Sequence, residues 1–285
     1  MTRWFIVLWA LCGAPVALAA GLQADFIAAS TAALKNPHDL KLSLDGKYLF
    51  VADVDNNRVA VLDPKTLKLI GQFGADHQSG THDIDIDAAG RAYVADTYND
   101  WVLIYKMNGA AAKRVGQLAA RIGAPEGVLA HSNGRIYVTG ARSGNVVAYK
   151  DGAVVAERKR LSAPHDVAQA PNGDIWLADA GNDRLLVLSP DLSVKRVLKG
   201  APYHFNGVRY LDVLPDGVVI AADKNNHQVK FIGPDGALLL TLGTGRPGRG
   251  PGVFTTPEGV ETRGDTIWLS DSGNDRVVKY RIRRQ

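Results

Sequence analysis

Hydrophobic and polar positions change places every residue or two along this chain, in runs of four to six residues bounded by turn signals. From Leu22 onward no stretch sustains apolar spacing at helical period. One unit can be followed closely. A strand over 166–169 leads to an Asn172-Gly173 turn and a strand over 174–178. A polar turn over 179–183 then precedes the strand Arg184–Leu188; Ser189-Pro190-Asp191 breaks the pattern, and 194–198 supplies a fourth strand. An earlier unit scans the same way, with strands over 40–44, 48–52, Arg58–Leu62 and Leu69–Phe73.

The unit recurs six times near a 40-residue period, marked by one phrase. Asp53 precedes Arg58-Val59, Asp96 Trp101-Val102, Gly140 Asn145-Val146, Asp179 Arg184-Leu185, Asp223 Gln228-Val229 and Asp271 Arg276-Val277. Four-stranded sheets repeated at this length predict an all-β fold, a six-bladed β-propeller of antiparallel blades. A lone blade leaves both faces uncovered, so the ring must close. The last unit has sequence for only three strands before Gln285. The segment Leu22–Ala29 is therefore expected to cross over as the outer strand of blade six.

The first nineteen residues read differently. Arg3, an apolar run over 4–11 and Ala17-Leu18-Ala19 have the layout of a secretory signal peptide, too short to span a bilayer. Leu11, before Cys12, is too bulky for a lipid-anchor site. Cleavage after Ala19 leaves a mature chain without cysteine, stabilised by packing and ligand instead of disulfides. The expected address is periplasmic or secreted, with residues 20–285 forming one domain and no transmembrane segment. A formal charge of +4, from 33 basic and 29 acidic residues, gives no basis for nucleic-acid binding. The clusters over 157–160 and 281–284 read as solvated surface. A monomer is expected.

The repeated aspartates have a structural explanation, since a carboxylate before a polar turn accepts backbone N–H groups, and a catalytic site needs one constellation, not six. The start of each first strand is more informative. In a propeller that strand lines the central channel, so equivalent positions form a ring. Pro37-His38-Asp39, Thr81-His82-Asp83, Pro125-Glu126-Gly127, Pro164-His165-Asp166, Phe205-Asn206-Gly207 and Pro257-Glu258-Gly259 place His38, His82, Glu126, His165, Asn206 and Glu258 there. Imidazoles and carboxylates converging in a polar pocket suit a divalent metal, zinc first and calcium second. Asp39, Asp83 and Asp166 are expected to orient the histidines. His77 and His204 are expected nearby.

The segments Pro257-Glu258-Gly259-Val260, Gly173-Asp174-Ile175-Trp176-Leu177 and Asp271-Ser272-Gly273-Asn274-Asp275-Arg276-Val277 resemble the NHL repeat, and the likeness extends over 36–282. That family contains binding platforms, sensor ectodomains and a few enzymes, so it implies fold more than function. The Pro-His-Asp starts also resemble those of peptidylglycine α-amidating lyase, a six-bladed enzyme whose zinc is held by histidines from separate blades. This resemblance implies metal ligation by His38, His82 and His165 and a catalytic role for Tyr98. Arg142 is available for a second role but matches no motif. Glu126-Gly127, Asn206-Gly207 and Glu258-Gly259 look like the cation-holding positions of gluconolactonase-type propellers, without the matching Asp. Two function classes follow. One is a metal-dependent lyase or lactone hydrolase acting on a small-molecule or peptide ligand at the channel mouth. The other is a non-catalytic propeller that recognises a protein partner or serves as a sensor.

Overall fold

The computed structural model describes residues 21–284, and the expected signal peptide and its cleavage site lie outside them. The described chain forms six four-stranded antiparallel sheets. Five are built from consecutive strands. The sixth takes Pro257–Arg263, Thr266–Asp271 and Arg276–Arg284, and adds Leu22–Ala29 outside Arg276–Arg284. The first and last strands of the described residues therefore share one blade, as the missing fourth strand required. The innermost strands are Pro37–Leu42, Thr81–Ile86, Pro125–Ala130, Pro164–Gln169, Val208–Val213 and Pro257–Arg263. Each touches the next and the last touches the first, closing the ring.

The apolar side chains sit between blades. Phe50, Val59 and Val61 of blade one pack against Ile84, Val94 and Leu103 of blade two. Leu40 and Val51 meet Trp268 and Val277 of blade six. Four further clusters fill the other interfaces. Burial of this area, at about 25 cal/mol per Å², is what makes closure favourable.

The repeated phrase is scaffold. Asp179 is fully buried: Oδ1 accepts Ser162 N–H at 2.7 Å, and Oδ2 accepts Asn182 Nδ2 at 2.8 Å and Arg184 Nε at 2.6 Å. Asp53 and Asp271 repeat the arrangement with Asn56, Arg58 and Asn274, Arg276. The turn after each aspartate ends in a left-handed residue, namely Asn57, Asp100, Asp183, His227 or Asp275, with φ of 51–61°. Asn and Asp tolerate that backbone better than most residues. These side chains also stitch blades together: Asn57 accepts Gly80 N–H, Asp100 accepts Ala124 N–H and Asp275 accepts Asn36 N–H, at 2.7–2.8 Å. In blade three, where Gly140 replaces Asp, Ser143 Oγ accepts Gly123 N–H at 3.0 Å instead.

Candidate metal centre

The six innermost strands begin with a β-bulge or local irregularity that carries the ring residues. Five of the six expected residues converge. His38, His82 and Glu126 each offer a ligand atom, and these atoms lie within 4.8 Å of one another. Glu126 Oε2 is 3.6 Å from His82 Nε2 and 3.8 Å from His165 Nε2, while Glu258 Oε1 is 3.8 Å from His38 Nε2. These separations are too long for hydrogen bonds and suit donors spaced around a shared cation. The His38 and His82 rings meet edge-on, with centroids 4.6 Å apart.

The histidines are aimed by backbone. His82 Nδ1 faces Gly80 O and His165 Nδ1 faces Ala163 O, both at 2.8 Å. A ring donating through Nδ1 carries its lone pair on Nε2, the nitrogen turned toward the ring centre. The expectation that Asp39, Asp83 and Asp166 orient the histidines therefore gives way. Asp83 and Asp166 accept backbone N–H groups of the next blade, Val128 at 2.5 Å and Leu211 at 2.8 Å. Burial drives the carboxyls of Asp39 and Asp166 well above the usual range, helped by Asp83. Burial lowers His38, with His82, Lys224 and Arg209 adding to the effect, and takes His165 down to about 3. Both imidazoles are thus neutral at physiological pH, the form that binds metal.

Asn206 is not in the ring. It lies exposed in the loop ahead of Val208–Val213, and its N–H donates to Asp223 Oδ1. Pairing of Val208 with Asp223 puts Arg209 where the other blades have His or Glu. Phe205-Asn206-Gly207 imitates the Glu-Gly starts, but the innermost strand of every other blade begins fourteen to sixteen residues before its phrase, a spacing that selects Val208. Two other residues escaped the sequence reading. Fully buried Tyr210 reaches beneath the ring, its hydroxyl 3.4 Å from Glu126 Oε2 and 3.5 Å from His38 Nδ1. Lys224, on the turn after Asp223, brings Nζ to 2.5 Å from Glu258 Oε1.

Tyr98 stands at the mouth, 66% exposed, with its ring centroid 5.8 Å from that of His82. Arg142 lies on the corresponding turn of blade three but pairs with Asp100. His77 is engaged by Asp76 and Tyr105, and His204 is an exposed loop residue. A cavity of about 300 Å³ continues the channel on the far side, lined by Asp39, Asp83, Asp85, Asp166, Asp212 and Glu261 among others.

Residues 161–188, which hold the first three strands of blade four, match the NHL repeat. The propeller carries an NHL repeat. Among solved structures the chain is similar to virginiamycin B lyase from Staphylococcus aureus, in a catalytically inactive form with quinupristin. The TM-score is 0.66 at 13% identity, covering 91% of this chain and 99% of that one. A Bacteroides thetaiotaomicron protein of unknown function gives 0.76 at 14% identity, covering 89% and 71%. An auxiliary nutrient binding protein from Bacteroides ovatus gives 0.72 at 13% identity, covering 93% and 78%. At such identities the likeness is one of fold. No curated protein matches the chain.

Proposed function

We propose that the NHL-repeat propeller is exported and holds one divalent cation at the channel mouth, through His38, His82 and Glu126 with His165 alongside. The observation that carries this reading is the convergence of the His38, His82 and Glu126 ligand atoms within 4.8 Å, with the Nε2 atoms of His82 and His165 freed by backbone acceptors on the other nitrogen. The donor set fits the group. Imidazoles suit zinc or a similar transition ion, whereas calcium prefers oxygen donors alone.

A cation in this place would supply Lewis acidity toward a substrate oxygen, which supports a metal-dependent lyase or hydrolase. The chain's part is to fix the neutral imidazoles, hold Glu126 as the anionic ligand and present Tyr98 to a ligand arriving from solvent. Tyr210 beneath the ring keeps Glu126 and His38 in place. The fold likeness to an enzyme whose name is a lyase agrees with this reading, and His-ligated metal is the part the residues support most directly.

Metal analysis of the exported protein tests it. Wild type should retain about one equivalent of zinc or a related ion. The H38A/H82A/H165A variant should lose that ion while keeping its β-sheet circular dichroism. Wild-type protein that retains no ion, and takes up none on titration, ends the cation reading and favours a propeller that only recognises a partner. Mass analysis of the mature chain should place its first residue at Ala20.

A further inference from the structure

The half of the ring opposite His82, Glu126 and His165 is built differently. Glu258 is the most deeply buried member, its side chain 1% exposed, and neither carboxylate oxygen makes a hydrogen bond among the described residues. Two cations crowd it. Lys224 Nζ lies 2.5 Å from Oε1 but outside hydrogen-bond geometry, and Arg209 Nε lies 4.0 Å from Oε2. Arg209 Nε is itself buried without a hydrogen-bond partner among the described residues. This is unlike Arg58, Arg184 and Arg276, whose Nε atoms each donate to a scaffold carboxylate at 2.6–2.8 Å. Leaving buried donors and acceptors unpaired is costly, and native chains do it where a ligand completes the set.

Charge points the same way. Glu126 and Glu258 balance Arg209 and Lys224, so a bound divalent cation leaves the mouth with excess positive charge. The side chains of Arg209 and Lys224 are 24% and 25% exposed, against 7–11% for those of His38, His82, Glu126 and His165. They stand between the buried ring and solvent. A guanidinium offers a planar pair of donors matched to a carboxylate, and an ammonium adds a mobile third contact.

We propose that the mouth takes a small carboxylate-bearing ligand, gripped by Arg209 and Lys224 on the side facing the cation. The proposal deepens the cation reading and rests on it for the ligand's second anchor. On binding, Arg209 Nε gains the acceptor it lacks, while Lys224 stays beside Glu258 and adds a second positive contact.

Calorimetric titration of zinc-loaded protein with succinate, and in parallel with inorganic phosphate, tests this. Wild type should bind succinate, with phosphate weaker. R209Q and K224Q should each weaken succinate binding by roughly 10-fold or more, the loss expected for a charge-assisted contact. R209K, which keeps charge but not the planar fork, should recover only part of it. Metal content should be unchanged in all three variants, so loss of the ion and loss of the anion are read separately. Absence of succinate binding, preference for phosphate, or wild-type affinity in R209Q and K224Q overturns the proposal. Should wild type retain no ion, the cation reading falls by itself. The same titrations on ion-free protein then decide the anion grip.

Discussion

The ring divides into two halves built on one plan. In blades two to four, Thr81–Ile86, Pro125–Ala130 and Pro164–Gln169 carry His82, Glu126 and His165; in blades five, six and one the same positions carry Arg209, Glu258 and His38. The backbone matches closely. A Cβ on Gly127 would stand 2.3 Å from His165 O, and one on Gly259 would stand 2.3 Å from His38 O. Thr139 Oγ1 donates to His165 O and Ser270 Oγ to His38 O, both at 2.5 Å. Even the stitches correspond, since Asp85 accepts Ala130 N–H and Asp212 accepts Thr262 N–H, both at 2.7 Å. The halves differ chiefly in whether an imidazole or a guanidinium faces the glutamate. A histidine aimed by a backbone carbonyl leaves a metal-binding lone pair. An arginine in its place, joined by Lys224, occupies the carboxylate with charge. Matching scaffolds thus carry the proposed cation site, which His38 of blade one completes, and beside it a cationic pair in blade five.

The comparison is tested most severely by transplanting one half's chemistry into the other. Arg209→His combined with Lys224→Gln gives blade five the imidazole that blade two has and frees Glu258. If position alone decides the chemistry, the added imidazole and the freed Glu258, both beside His38, should make the one bound ion roughly 10-fold or more harder to strip with a chelator. Unchanged retention, in protein whose circular dichroism matches wild type, would show that the halves differ in backbone and not only in side chain.

Much of this was legible because turn chemistry is local. Asp179, Asn182 and Arg184 hydrogen-bond within five residues of one another, so the phrase announces itself in each unit. The closing strand was legible by counting. The ring was legible where Pro or Thr marks a strand start, and it failed in blade five, where Asn206-Gly207 resembles Glu126-Gly127 without being its equivalent. Tyr210 and Lys224 were not legible, because their roles depend on reach across the channel and no local pattern encodes that. The aiming of His82 and His165 by Gly80 and Ala163 was hidden for the same reason, since any residue supplies a carbonyl.

A smaller effect probes the scaffold beneath the two halves. Blade six has buried Asp271 holding Thr255 N–H, Asn274 and Arg276; blade three has Gly140, with Ser143 accepting Gly123 N–H. Asp271→Ala strands the Arg276 guanidinium, only 6% exposed, and should cost about 3–5 kcal/mol. Ser143→Ala loses neutral hydrogen bonds and should cost about 1 kcal/mol. Chemical denaturation measures both. Equal costs would mean that the missing carboxylate of blade three is compensated elsewhere and that the halves are less alike than their registers imply.

The smallest effect lies at the far end of the channel. There blade six has Glu261 where blade three has Leu129, and blade one has Lys41 where blade four has Ala168. Glu261 Oε1 accepts Leu42 N–H at 3.0 Å. Burial pushes its carboxyl up to about 8, with Lys41 opposing the shift and Asp212 and Asp85 reinforcing it. An unfolded glutamate titrates near about 4.3. Between those values the folded chain keeps a proton that the unfolded chain has released. The resulting stability is fully present below the unfolded value and is lost as pH rises through about 8. Glu261→Gln keeps the acceptor for Leu42 and removes the titration. Unfolding free energy should therefore fall less steeply from pH 5 to pH 8 in the variant than in wild type, by on the order of 1–3 kcal/mol across that range. The two histidines lowered by burial slope the other way in both proteins, so the difference between the curves isolates Glu261. Parallel curves would mean that Lys41, 2.9 Å from Asp85 of blade two and 3.8 Å from Glu261, holds Glu261 ionised throughout and ties the far ends of the two halves by charge.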